Sequence, residues 1–205
     1  MSQSSIEYRE WRHQVHSGLK QLQDSRVQLY EDTELFRWYS STLVPGLLQT
    51  EDYAAAVLRT VRRFHDLSTD DSVEAARARV GRSQVIREPG HQFELIVEEW
   101  VLRSRIANTS ALSGQLQHLL TASELPTVSL GIIPQARDER ILWPRETFHV
   151  FDDSLVTVEL VSAEVNVTQP SEIAQYVKAF EQLRSMAVYG AEARALILRA
   201  IEALH

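Results

Sequence analysis

The sequence contains no cysteine, which excludes disulfides and thiolate chemistry and leaves the redox compartment open. It also lacks any basic run, and its formal net charge is -7. A chain of this kind has no means of neutralising a phosphate backbone, so direct nucleic-acid binding is not expected. Neither an N-terminal signal pattern nor a long apolar span is present, which reads as a soluble cytoplasmic protein with no membrane partner. Internal repeats, low-complexity tracts, phosphate-cradling glycine loops and nucleophile elbows are all missing. His13 and His16 stand three apart, but no carboxylate or third histidine joins them nearby. A solvated helix face explains the pair better than a metal does, and neither metal nor cofactor is expected.

What is present suits one domain with a helical extension: 205 residues, enough to bury a sizeable core. The boundary is drawn between an N-terminal extension, 1–32, and a domain spanning 33–205. Residues 4–31 read as a long helix that Ser5 can cap, with Tyr8, Trp11, Val15, Leu19, Leu22, Val27, Leu29 and Tyr30 near one stripe. A short strand at 34–40 follows and leads into Pro45-Gly46. There the proline restrains Val44, Gly46 is expected at positive φ, and Thr50 caps a helix over 50–65 that carries Glu51 and Asp52 in its first turn. This turn is either a plain strand-to-helix connection plugged by Leu47 and Leu48, or one wall of a pocket.

A helix over 70–87, opened by Thr69, carries Arg77, Arg79, Arg82 and Arg87. Such a cluster is a solvated face or a holder for a ligand carboxylate. Residues 93–97 form a strand running into Glu98-Glu99-Trp100. Adjacent residues on an extended chain point to opposite faces, so one carboxylate of the pair faces inward. Beside an indole its charged form is desolvated and its pKa rises, as a general acid or base requires; the alternative is an acidic helix start. A helix at 110–123 precedes the apolar TVSLGIIP, which reads as a central strand. The loop 135–146 carries Ile141, Leu142 and Trp143 at its middle, as a closing flap or a simple anchor.

Strands at 147–151 and 155–161 are joined by Asp152-Asp153-Ser154. Alternation puts Thr147, His149 and Phe151 on one face and Phe148 and Val150 on the other, with Thr157 and Glu159 opposing Val156, Val158 and Leu160. Glu159 is thus an acid within an apolar strand and needs a partner or a solvated cavity. After a polar VNVTQ link, helices run from Pro170 to about Val188 and from Gly190 to Leu204. The fold class is α+β: a small mixed β-sheet from strands near 35, 93, 127, 147 and 155, flanked by helices, with long helices at both ends.

PGLLQTEDYA resembles the signature of the effector domain of actinomycete helix-turn-helix regulators of the XRE, antitoxin-like type. Arg79 and Arg82 resemble that family's arginine pair, with Ser83 where glutamine is usual. VEEWVLR resembles its acidic segment, with Trp100 where a small residue is typical. LPTVSLGIIP, FHVFDD, VTVELV and YVKAFEQLRSMAV follow in the family's order, and Glu159 matches an acidic position whereas His149 does not. In such regulators a DNA-reading module comes first, so the resemblance implies an effector half standing alone.

Two functions are expected. One is a biosynthetic enzyme that binds a small aromatic molecule and catalyses a condensation or cyclisation, such as Pictet-Spengler-type closure of an aromatic amine with a carbonyl compound. In it Glu99, Glu159 or His149 moves the proton, Trp38, Trp100 and Trp143 hold the flat substrate, and Gln49, Tyr53 and Arg82 complete the binding set. The other is a ligand- or partner-sensing regulator acting through a separate DNA-binding protein. A homodimer is compatible with either.

Overall fold

Alternating apolar side chains drive the centre of the molecule into extended chain, and the helices cover both sides of it. The structure is a computed structural model describing residues 6–136 and 139–204. Its strands are β1 (Ile6–Glu10), β2 (Leu35–Ser40), β3 (Gln92–Glu98), β4 (Val128–Ile133), β5 (Phe148–Phe151), β6 (Leu155–Glu159) and β7 (Ala163–Val167). They form one mixed sheet in the order β1-β7-β6-β5-β2-β3-β4. β2, β3 and β4 are parallel neighbours, while β5, β6, β7 and β1 continue antiparallel from β2. Mixed pairing with helices on both faces is the α+β arrangement expected.

The two-residue period decides which helix covers which face. Phe36 and Trp38 of β2 bury with Phe93, Leu95 and Val97 of β3 and Leu130 and Ile132 of β4. Helices α6 (Thr109–Ala122) and α8 (Gly190–Glu202) supply Leu112, Leu116, Leu196 and Ile197 to this side. Phe36 and Phe93 stack with ring centroids 4.5 Å apart. Tyr39, Ile96, Ile133, Val150, Val156 and Val158 point the other way, onto Ile173, Phe180, Leu183 and Met186 of α7 (Pro170–Met186). The faces expected for 147–151 and for Val156 to Glu159 are the ones observed; the second strand, expected over 155–161, ends at Glu159, and Leu160 beyond it is exposed rather than packed with Val156 and Val158.

A third cluster joins Val15 and Leu19 to α4 (Glu51–Phe64) and α5 (Ser72–Arg82) through Ala54, Ala55, Leu58, Ala75 and Ala76. Thr50 caps α4, its hydroxyl accepting the Tyr53 N–H at 3.4 Å. α5 starts after Asp71 rather than Thr69 and tightens into a 3-10 turn at Ser83–Arg87. Among the described residues no helix is long and apolar enough to cross a membrane.

Several expectations need correction. The N-terminal segment is not one helix: β1 is an edge strand, followed by the short helices α1 (Trp11–Gln14), α2 (Leu19–Asp24) and α3 (Val27–Asp32). Ile6, Tyr8 and Arg9 pair across β7 with Val167, Val165 and Glu164, and these long-range backbone bonds override a local helical stripe. Ser5 lies outside the described residues. The polar link after β6 is itself β7, in which Ala163, Glu164 and Val167 are buried. β4 is not central but lies at the sheet edge, where Val188 exchanges backbone bonds of 3.0 and 2.8 Å with Ile132 and shields its outer side. Gly46 does not adopt positive φ; it opens a 3-10 turn, Gly46–Leu48, instead.

Candidate functional site

The Pro45-Gly46 bend sets one wall of a cavity of about 440 Å³ between the sheet and the N-terminal helices. Two glutamines hold the bend in place. Gln49 Nε2 donates to the Val44 carbonyl at 2.8 Å, and Gln115, wholly buried on α6, donates to the Leu48 carbonyl at 2.6 Å while accepting the Thr50 N–H at 2.8 Å. Every backbone polar group of the turn that these bonds reach is thereby satisfied away from water.

The walls differ in chemistry. The sheet side presents Trp38 and His149, cross-strand neighbours on β2 and β5 whose rings pack tilted by 34° with centroids 4.1 Å apart, with Tyr30 edge-on to Trp38. Leu43, Val44, Val57 and Val61 make an apolar side, and Trp11, Val15 and Leu19 close over the top. Trp11 fixes this cover to the loop after β6: its indole N–H donates to the Leu160 carbonyl at 2.8 Å, and its backbone N–H to the Ser162 carbonyl at 3.1 Å.

The remaining side is cationic. Arg26, Arg79 and Arg82 all line the cavity, and Glu159 is the one carboxylate among its described lining residues. Arg26 is bonded to buried Glu164, which also pairs with Arg9. Arg79 donates to Gln23 Oε1 at 3.0 Å and to Gln49 Oε1 at 2.7 Å. Arg82 donates to the Gln23 carbonyl at 2.7 Å and to Gln23 Oε1 at 3.3 Å, with its guanidinium 4.5 Å above the Tyr30 ring.

Burial and mutual repulsion shape the titration of these groups. Burial, then Arg82, pulls Arg79 down to about 10. Burial, together with Arg26, also lowers Arg82. Arg26 is raised: burial acts to lower it, and Glu164, Tyr30 and Glu159 acting together overcome that. His149 falls to about 3, through burial first and then the nearby charges of Arg26 and Arg82. The imidazole is therefore neutral across the physiological range, a hydrogen-bonding group with Thr157 Oγ1 3.4 Å from Nδ1.

The structure brings together five residues singled out from the sequence, Trp38, Gln49, Arg82, His149 and Glu159. The others stand elsewhere. Tyr53 is fully buried behind the turn, its phenol facing the Val44 N–H at 3.5 Å. Trp100 packs against the core and donates its indole N–H to the Ser41 carbonyl at 2.8 Å. Trp143 is 62% exposed beneath Arg145 and borders a separate hollow against α7, across the sheet. Of the loop expected as a flap, Arg137 and Asp138 lie outside the described residues.

Glu99 is not the inward member of its pair. Its carboxylate accepts the Gln135 N–H at 2.8 Å and sits 3.8 Å from Arg103. Glu98 is the buried one, on the face opposite the cavity, where Tyr39 Oη donates to it at 2.7 Å and Arg140 grips both oxygens at 2.6 and 3.1 Å. The strand period continues one residue further than the sequence reading assumed, and that reverses the pair.

Missed by the sequence reading were Gln23, Arg26 and Glu164. Arg26 and Glu164 are 138 residues apart in sequence, and no local pattern links them. Among the described residues no group of three histidines or carboxylates stands close enough to hold a metal.

These features define a mixed α+β domain with a half-open cavity, apolar and aromatic on most sides and cationic at one end. The chain belongs to the family described as "Domain of unknown function (DUF5753)", matched over residues 26–199. The cover formed by Trp11, Val15, Leu19 and Leu22 precedes the matched span. No curated protein matches the chain.

Solved structures resemble it only distantly. The phospholipase D family member Nuc from Salmonella typhimurium is 8% identical with a TM-score of 0.46, over 90% of this chain and 97% of that one. NucT from Helicobacter pylori is 11% identical with a TM-score of 0.45, over 90% and 98%. The archaeal chromatin protein TrmBL2 is 10% identical with a TM-score of 0.42, over 91% and 54%. Likeness at this level carries no argument about chemistry.

Proposed function

We propose that this chain is a cytoplasmic small-molecule-binding domain whose cavity takes a flat organic guest, and that Glu159 acts on the guest as the proton carrier of a condensation or ring closure. The observation that carries the reading is the cavity itself, of ligand size, apolar on most sides and furnished with a few fixed polar groups. Trp38, packed against neutral His149, offers an aromatic wall of the kind that holds a planar ring. Glu159 is the remaining candidate for proton transfer, since Glu99 lies away from the cavity and His149 is a very weak base. Closure of an aromatic amine with a carbonyl compound, of the Pictet-Spengler type, is chemistry that needs no more than this.

A second reading is favoured by the PGLLQT turn, which resembles that of XRE-type regulator effector domains and walls this same cavity. In it the guest is sensed rather than transformed, and the output passes to a separate DNA-binding partner. Incubation with aromatic amine and keto-acid or aldehyde pairs, followed by chiral chromatography and mass spectrometry, separates the two. The enzyme reading expects one stereoisomer in excess, lost in Glu159→Gln while binding persists. Binding without any condensed product leaves the sensor.

A further inference from the structure

Two guanidinium groups converge on one neutral oxygen: Arg79 Nε and Arg82 Nη2 both donate to Gln23 Oε1, at 3.0 and 3.3 Å. Neighbouring cations in a half-buried site repel, and they are ordinarily accompanied by carboxylates. Here neither forms an ion pair among the described residues, because Arg26 takes Glu164 and Glu159 lies beyond ion-pair range of both. Each is nevertheless fixed in place. Gln23 and Gln49 are almost fully buried, and Gln49 is itself anchored to the Val44 carbonyl, so the arginines are positioned without being neutralised.

A second, independent observation lies on the sheet side of the same cavity. Trp38 is 1% exposed and lines the cavity, yet its buried indole N–H has no hydrogen-bond acceptor; the buried Nε of Arg82 also has none. Buried N–H donors are nearly always satisfied, so unpaired ones lining the same cavity as two cations without an ion-pair partner point to a site for an acceptor. The acceptor that suits guanidinium forks is planar and bidentate, a carboxylate.

We propose that the cavity's guest carries a carboxylate seated at the Arg79–Arg82 end within reach of the Trp38 indole N–H, with its flat apolar body lying along Trp38 and His149 toward Val44, Val57 and Val61. This assignment rests on the small-molecule reading above and names the chemical class of its ligand. The two arginines fix orientation, and the apolar side supplies contact area. The amide or ester of the same body, lacking the charge, leaves both cations unneutralised.

Isothermal titration calorimetry on the full chain tests this with matched flat probes: naphthoic acid against naphthamide, and an indole carboxylic acid against its carboxamide. In at least one pair the acid is expected to bind about tenfold or more tightly than the amide. Arg82→Gln is expected to weaken acid binding about tenfold or more and so to remove that preference, read as the acid-to-amide affinity ratio. Should Arg82→Gln melt early, Arg79→Gln and Trp38→Phe, the latter keeping an aromatic ring, give the same readout. Equal affinity for acid and amide, or a preference that survives all three substitutions, overturns the carboxylate assignment and leaves the cavity reading standing. Failure of all four probes to bind at millimolar concentration overturns both.

Discussion

Trp38 and His149 face each other across β2 and β5, registered opposite one another with ring centroids 4.1 Å apart. The contact fixes the imidazole in a setting where gaining a proton is costly. In the unfolded chain the histidine titrates near its ordinary value, whereas in the folded chain its pKa is depressed to about 3. As pH falls from about 6.5 toward 3, the unfolded state takes up a proton that the folded state refuses, so stability is lost with acidification across that window, by at most about 1.4 kcal/mol per pH unit. Urea denaturation at a series of pH values is expected to show a shallower loss for His149→Gln than for the natural chain between these limits. Parallel curves would place the residue in solvent.

Glu98 gives a prediction confined to the other face of the sheet. Its carboxylate holds Tyr39 and both terminal nitrogens of Arg140, and burial with this carboxylate pushes the Tyr39 phenol far above its ordinary pKa. Glu98→Gln leaves Arg140 half-paired, at an expected cost of about 2–3 kcal/mol in urea denaturation. Probe binding in the Trp38 cavity should be unchanged, because the sheet separates the two sites. A variant that loses binding with its fold intact would show them to be coupled.

Where a two-residue period governed, the sequence was legible. Phe148 and Val150 against His149 and Phe151, and Val156 and Val158 against Thr157 and Glu159, were assigned to faces by alternation alone. The Pro45 turn was readable as one wall of a pocket because its residues each have a local task. What escaped was non-local. β1 exists through pairing with β7 between residues about 160 apart, and Tyr8 and Trp11 fit a helical stripe equally well when read alone; β7 itself also forms a local hairpin with β6, which its polar sequence concealed. The inward member of the Glu98-Glu99 pair depended on where β3 ends, and strand ends are not encoded by period. Gln23 carries no signal at all: a glutamine between Leu22 and Asp24 reads as a solvated helix position until Arg79 and Arg82 are brought to it from α5.

The cover over the cavity should open on its own. β1 is an exposed edge strand, and Trp11 fixes it to the loop after β6 through one side-chain and one backbone bond. Trp11→Phe keeps the ring and removes the indole bond, an expected loss of about 1 kcal/mol. Hydrogen exchange is the appropriate readout, since a local opening need not move the global unfolding curve. Amides over 6–18 are expected to exchange about fivefold faster, with those of β2 and β3 unaffected. Uniform acceleration through the sheet would mean that the segment belongs to the core rather than covering it.

Gln115 sits wholly inside the protein on α6, a position where an apolar residue would ordinarily serve, and both ends of its amide are spoken for. One end donates to the Leu48 carbonyl and the other accepts the Thr50 N–H, so a single side chain satisfies backbone groups on both sides of Gln49. Gln115→Leu matches the volume and keeps the helix, but orphans a buried carbonyl and a buried N–H together. Each orphan costs about 1–3 kcal/mol, and the sum is expected near 3 kcal/mol by urea denaturation. The loss should also reach the cavity, because Gln49 holds Arg79 from this turn at 2.7 Å. Acid-probe affinity is therefore expected to fall more than amide-probe affinity, whereas Leu116→Val, a neighbouring core truncation of comparable position on α6, should lower stability and leave the acid-over-amide ratio alone.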